Sequence, residues 1–162
     1  MSTHSDFVHL HAHTEYSLLD GACRLADDKG NPSELIKFVA SQKMPALAMT
    51  DHGNLYGTVE FYKSCEKEGV KPIIGMEAYV APKSRLDRGG TIGGSNNHLT
   101  LLAATNEGYA NLMKLSSLSY MEGYYYKPRI DWELMEKYHT GIIALSGCLK
   151  SKLSETVLAG KE

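Results

Sequence analysis

The tract His9-Leu10-His11-Ala12-His13 places three of the chain's seven histidines at alternate positions within five residues. Side chains of a strand alternate between faces, so extended backbone here turns all three imidazoles one way, with His11 and His13 near enough to converge on one ion. A carboxylate follows at Asp20. The plainer duty for such a tract is a solvated strand end, because histidine clusters alone do not make a metal site.

The rest of the pattern alternates strand-like and helix-like segments. Phe7 to His13 is the first strand. Asn31-Pro32-Ser33-Glu34 opens a helix, with Asn31 as cap, Pro32 at the first position and Leu35, Phe38 and Val39 as its buried stripe. Ala46 to Met49 is a short apolar strand running into the polar turn Thr50-Asp51-His52-Gly53, after which Leu55, Val59 and Tyr62 recur at helical spacing. Pro72 to Val80 is a third strand, apolar on both faces and interrupted by Glu77. His98 to Ala104 is a fourth, with Tyr109, Leu112 and Met113 beginning a helix behind it. Trp132 to Tyr138 reads as a short helix, Gly141 to Leu145 as a fifth strand, and a last helix follows from Lys150.

Such alternation predicts an α/β fold with a parallel sheet. No Gly-x-Gly-x-x-Gly follows the first strand, which counts against a dinucleotide fold and for a barrel. In a barrel, functional residues gather at the C-terminal ends of strands; His13, His52, Glu77 and Cys148 fall near such ends, whereas His98 opens its strand. The segment Pro82 to Asn97 is 16 residues with four glycines, long enough either for a functional loop whose Lys83, Arg85 and Arg88 could meet phosphate or for a plain mobile surface loop. A closed barrel takes roughly 250 residues, so about five strands in 162 residues represent the N-terminal portion of one, with the domain cut short.

Composition bounds the function. With 43% hydrophobic and 22% charged residues the chain is an ordinary globular domain, and 17 basic against 19 acidic residues give no electrostatic footprint of an autonomous nucleic-acid clamp. Cys23, Cys65 and Cys148 form no Cys-x-x-Cys pair and suit a reducing compartment. No signal-like start and no membrane-length apolar run occurs, so the expected location is cytoplasmic, with no membrane partner.

Against this background His11, His13, Asp20, His52, Glu77, His98 and Cys148 supply imidazole, carboxylate and thiolate donors, the inventory of a metal cluster. The mixture favours zinc, manganese or iron over magnesium. Ions a few ångströms apart clamp a phosphoester and activate water, so phosphoester hydrolysis is the matching chemistry. Singly, each residue has a plainer duty: Thr50 or Asp51 caps a helix, Cys148 is a small buried apolar residue, Asp20 forms a turn, and His139 lies on the surface near a helix end.

The stretches His11-Ala12-His13-Thr14-Glu15-Tyr16-Ser17-Leu18-Leu19-Asp20-Gly21, Thr50-Asp51-His52-Gly53-Asn54-Leu55-Tyr56-Gly57 and Gly75-Met76-Glu77 closely resemble the PHP (polymerase and histidinol phosphatase) domain. The run from His98 to Tyr109, Tyr125 to Asp131 and Leu145-Ser146-Gly147-Cys148 resemble the form of that domain at the N-terminus of bacterial replicative DNA polymerase alpha subunits. The resemblance implies a distorted (β/α)₇, TIM-like barrel with up to three zinc or manganese ions. Its ligand positions fall on His11, His13, Asp20, His52, Glu77, His98 and Cys148, with the catalytic roles on Glu77, which would bridge ions, and on His52. His9 matches no ligand position and is assigned to the strand interior.

The implied activity is a 3′→5′ exonuclease or phosphoesterase serving proofreading, on a single-stranded DNA 3′ end. The implied partners are the remainder of a polymerase chain and other replisome subunits. The family closes its site with a late Asp-x-His pair that is absent before Glu162, so residues 1–162 are expected to form the N-terminal portion of the domain. Two other readings stand beside this one: a stand-alone phosphatase on a small phosphate monoester, and a non-catalytic, metal-stabilised scaffold of the polymerase. Tyr124, Tyr125 and Tyr126, beside Lys127 and Arg129, suit either a base-stacking platform or packing of a long connection, and packing is the expectation.

Overall fold

A computed structural model describes residues 5–89 and 96–160. Five strands and five helices occur among them: α1 (Glu34–Ser41), β1 (Ala46–Met49), α2 (Thr58–Lys67), β2 (Lys71–Val80), β3 (Asn97–Ala103), α3 (Asn106–Met121), β4 (Arg129–Ile130), α4 (Trp132–Tyr138), β5 (Ile142–Leu145) and α5 (Lys152–Leu158). They divide into two compact units, one of Met1–Asp51 with Leu55–Gly75, the other of His52–Asn54 with Met76–Glu162.

In the first unit β1 pairs in parallel with the start of β2, Ala46 opposite Lys71 and Met49 opposite Ile74. Leu25, Ile36, Val39, Leu47, Met49, Phe61, Cys65 and Val70 form its core. Two helix expectations are corrected here. Ser33, not Asn31, caps α1 by accepting the Ile36 N–H, and Ile36 replaces the exposed Phe38 in the buried stripe. In α2 the buried face is Thr58, Phe61, Ser64 and Cys65, while Val59 and Tyr62 are exposed. Small polar side chains let the helix seat closely, and Phe61 then fills the space that a wider apolar stripe would have needed.

The expected strand from Phe7 to His13 is not a ladder. It is extended backbone with a single parallel bridge, His9 to Leu47, and His9 is exposed rather than interior. Beyond that bridge the pairing passes to a side chain: Thr50 N–H donates to Ala12 C=O at 2.9 Å, while Thr50 Oγ1 accepts the Ala12 N–H at 3.0 Å.

The second unit carries the rest of β2, which pairs in parallel with β4 through Tyr79–Arg129 and Val80–Ile130. β3 pairs antiparallel with β5, Thr100 opposite Leu145 and Ala103 opposite Ile142, which corrects the expectation of a wholly parallel sheet. This reversal accounts for His98. A strand running against β5 has its beginning where β5 has its end, so a residue opening β3 lies at the same sheet end as one that follows a forward strand. The last helix begins at Lys152 with Ser151 as cap, two residues later than expected. α3 packs on β3, β4, β5 and α4, with Leu112 and Leu115 fully buried.

The segment after β2 is pinned as far as residue 89; residues 90–95 of the long connection lie outside the described residues. Buried Arg85 donates through Nε to Glu122 at 2.7 Å and through Nη1 to Asp131 and Glu133 at 3.1 and 3.2 Å. Burial works against its charge, but these hydrogen bonds prevail and hold its pKa above the ordinary arginine value. Arg85 is therefore committed to carboxylates instead of phosphate. Arg88 donates to the carbonyls of Tyr124 and Glu122. Tyr125 lies against the Arg129 guanidinium and meets Tyr126 edge-on at 4.6 Å, and half-exposed Tyr124 stacks on Tyr120 at 6.1 Å, so all three tyrosines pack against neighbouring side chains.

Candidate metal centre

In the first unit the segment from His11 to Gly21 folds back on itself. Gly21 N–H and Asp20 N–H both donate to Ser17 C=O, and a Cβ at Gly21 would stand 1.8 Å from the Thr14 carbonyl oxygen, so only glycine fits there. The turn gathers ligand-competent groups around His13: its ring meets that of His11 edge-on at 4.9 Å, and the ligand atoms of His11 and of Asp20 each lie within 4.8 Å of a His13 nitrogen. Asp20 and His11 are exposed, which leaves their donor atoms accessible.

In the second unit His52, Glu77 and His98 present one ligand atom each, all within 4.8 Å of one another. β2 supplies Glu77 from its interior, and β3 supplies His98 as its second residue. His52 is placed by a single parallel bridge to Glu77 and by the Gly53 N–H, which donates to Glu77 C=O at 2.9 Å. Gly53 has φ +64 and faces Pro128 and Tyr79 closely, so the turn that carries His52 depends on a glycine. Glu77 Oε1 is 3.8 Å from His52 Nδ1 and in direct contact with His98 Nδ1. Tyr79 stacks on His52 at 5.7 Å and meets His98 edge-on at 5.2 Å, fixing both ring planes.

This arrangement suits a cation. Glu77 is 3% exposed, and a carboxylate so placed needs hydrogen-bond donors or positive charge beside it. Two imidazole nitrogens converge on the carboxylate, and an imidazole–carboxylate set with nitrogen and oxygen donors fits zinc- or manganese-type ions. An apolar cavity of about 330 Å³ opens beside His98, walled in part by Val80, Leu99, Trp132 and Leu153.

Of the seven residues named from sequence, three fall in the first unit (His11, His13, Asp20) and four in the second (His52, Glu77, His98, Cys148). Cys148 stands apart from the others of its unit. It is exposed rather than buried, and its Sγ accepts the Lys150 N–H at 3.4 Å. The backbone still ties this corner to the site, because His98 N–H donates to Lys150 C=O at 3.1 Å. Asp51 and Thr50 do not cap α2, whose N-cap is Gly57. Sequence reasoning missed their actual role, holding the loop that carries His13; the signal available was two hydrogen-bonding residues directly before His52, which looks the same for a cap.

Residues 9–162 match the PHP domain family. In an alignment of 162 positions that covers 98% of its length, the chain is 52% identical to the DNA polymerase III subunit alpha of Thermus aquaticus, of which it spans 13%. It is also 52% identical over 151 residues to the DNA polymerase III subunit alpha of Aquifex aeolicus, spanning 12% of that protein. The chain thus corresponds to about an eighth of the length of these curated relatives. A solved amidohydrolase structure from Chromobacterium violaceum is similar over 68% of this chain and 34% of its own, at 24% identity and a TM-score of 0.41.

Proposed function

Because the chain belongs to the PHP domain family, we propose that it is the PHP region of a bacterial replicative DNA polymerase alpha subunit and that it hydrolyses phosphodiesters at a metal cluster. Its mixed α/β architecture fits the N-terminal portion of a TIM-like barrel of that type, with residues 1–162 forming part of the domain. The observation that carries the reading is the convergence of His52 and His98 on buried Glu77. His11, His13, Asp20 and Cys148 complete the ligand set on the family's pattern. Bound zinc or manganese would supply Lewis acidity and a water of lowered pKa.

The chain's own residues supply placement. Glu77 would contribute negative charge to hold the metal, His52 is held in plane by Tyr79, and both would serve as catalytic residues in this reading. The cavity beside His98, with half-exposed Trp132 on its wall, offers an apolar face for a base, which supports a single-stranded DNA 3′ end over a small phosphate monoester. No helix among the described residues is long and apolar enough to cross a membrane, in keeping with a cytoplasmic replication protein whose partners are the rest of the polymerase chain and other replisome subunits.

The test is metal content together with manganese-dependent release of 3′-terminal nucleotides from single-stranded DNA by the full-length protein. Wild type is expected to hold transition metal and release nucleotides, and Glu77→Gln to lose both. Wild-type protein that is free of metal and inert with added manganese would overturn the hydrolytic reading and leave a purely structural role.

A further inference from the structure

One fully buried carboxylate governs the loop that carries His13. Asp51 accepts the Thr14 N–H at 2.6 Å, the Thr14 hydroxyl at 2.7 Å and the Ser17 hydroxyl at 2.7 Å. Thr50 holds the residue on the other side of His13 through its two bonds to Ala12. Backbone on both sides of the histidine is therefore clamped by adjacent residues 37 and 38 positions away in sequence.

The ring is addressed as well. His13 Nδ1 lies 3.3 Å from Ser17 Oγ. A hydroxyl has one proton, and that of Ser17 points at Asp51, which as a carboxylate can only accept. Ser17 Oγ is left as an acceptor toward His13, so the Nδ1 position carries the ring proton and Nε2 keeps its lone pair.

We infer that Asp51 and Ser17 are positioning residues that fix His13 in the Nδ1–H tautomer, which makes Nε2 the nitrogen with which it ligates metal. Metal-bound histidines commonly donate their second ring N–H to a carboxylate or its relay, which sets tautomer and ring orientation before the ion arrives. Here the relay is a serine hydroxyl, and the same carboxylate also fixes the backbone at Thr14, so ring and loop are set together. The inference rests on the reading of His13 as a ligand.

The decisive measurement needs no variant. In metal-free protein labelled with ¹⁵N at histidine and recorded at alkaline pH, two-bond ¹H–¹⁵N correlations are expected to show His13 Nδ1 protonated and Nε2 unprotonated; a proton on Nε2 overturns the inference. In Ser17→Ala the His13 signals are expected to move toward the Nε2–H form, with Co²⁺ affinity falling about 10- to 100-fold. A His13 spectrum unchanged in Ser17→Ala overturns the relay. His13→Ala that leaves Co²⁺ stoichiometry intact would remove His13 from the ligand set, a failure of the underlying reading that the tautomer of the metal-free protein registers separately.

Discussion

Two buried groups show how single residues set stability here. Asp51→Ala removes a carboxylate that takes three donors and strands the Thr14 N–H in a buried position. Hydrogen bonds to a charged group are worth about 1.5 to 3 kcal/mol each, but the freed hydroxyls re-orient and recover part of that, giving a net loss of about 3 kcal/mol. For a chain of this size that lowers Tm by about 6 to 12 °C in a thermal melt. The Cys65 thiol makes a contrasting case, since burial alone raises its pKa from 9.0 to about 12. Between those values the unfolded chain releases a proton that the folded chain retains, so stability falls as pH rises through that window, by about 1.4 kcal/mol per pH unit. Urea midpoints at pH 8, 9 and 10 are expected to drop above pH 9 in wild type and to show a shallower drop in Cys65→Ala. Parallel curves would show that the thiol does not titrate in this way.

At the level of elements, what was legible in sequence was whatever local chemistry decides. β1 and α4 occur as read, because an apolar run ending in Thr50 and a capping Asp131 before Trp132 are signals written in adjacent residues. Faces and pairings were less legible. Leu55, Val59 and Tyr62 have helical spacing, yet α2 turns Phe61 and Cys65 inward, because the core offers room for small polar neighbours and not for a second wide stripe. β4 is two residues long and exists through its register with β2, which no local signal announces. The ligand types were legible one by one, but the service of Asp51 to His13 depends on a contact across 37 positions. The turn at Gly21 is legible only as a glycine after Asp20, whereas its structure makes a strong claim. Gly21→Ala must push a Cβ away from the Thr14 carbonyl, so the loop opens, and faster amide exchange at Asp20 and Ala22 is expected with the β1 and β2 amides unchanged. Unchanged exchange at Asp20 would refute that crowding.

For the whole molecule the electrostatic problem is the set of charges kept from water. A net charge of −2 spread over 162 residues exerts little pull on anions at a distance, so affinity for a phosphoester has to arise locally, where cations are held. Among the described residues the buried acids are handled in three ways, and Asp51 is met by neutral N–H and O–H donors alone. Asp131 is matched by Arg85 from within the chain, and Arg85→Ala would leave that acid 2% exposed without its guanidinium, at a cost of about 3 to 5 kcal/mol. Glu77 faces two imidazoles, which carry no fixed charge, and this is where an ion binds with the most to gain. Binding to the folded form alone adds stability as RT ln(1 + [L]/Kd), about 2.7 kcal/mol when the metal is at 100 times its Kd, or about 5 to 11 °C in Tm at this size. Zinc or manganese is therefore expected to raise the melting temperature of the metal-stripped protein, and Glu77→Gln to abolish the rise while melting near the stripped wild type. Arg85→Ala should behave in the opposite sense, melting lower at every metal concentration but keeping the full metal-dependent increment. An increment that survives Glu77→Gln would place the ion elsewhere, and one that disappears in Arg85→Ala would show that the two buried acids are not independent.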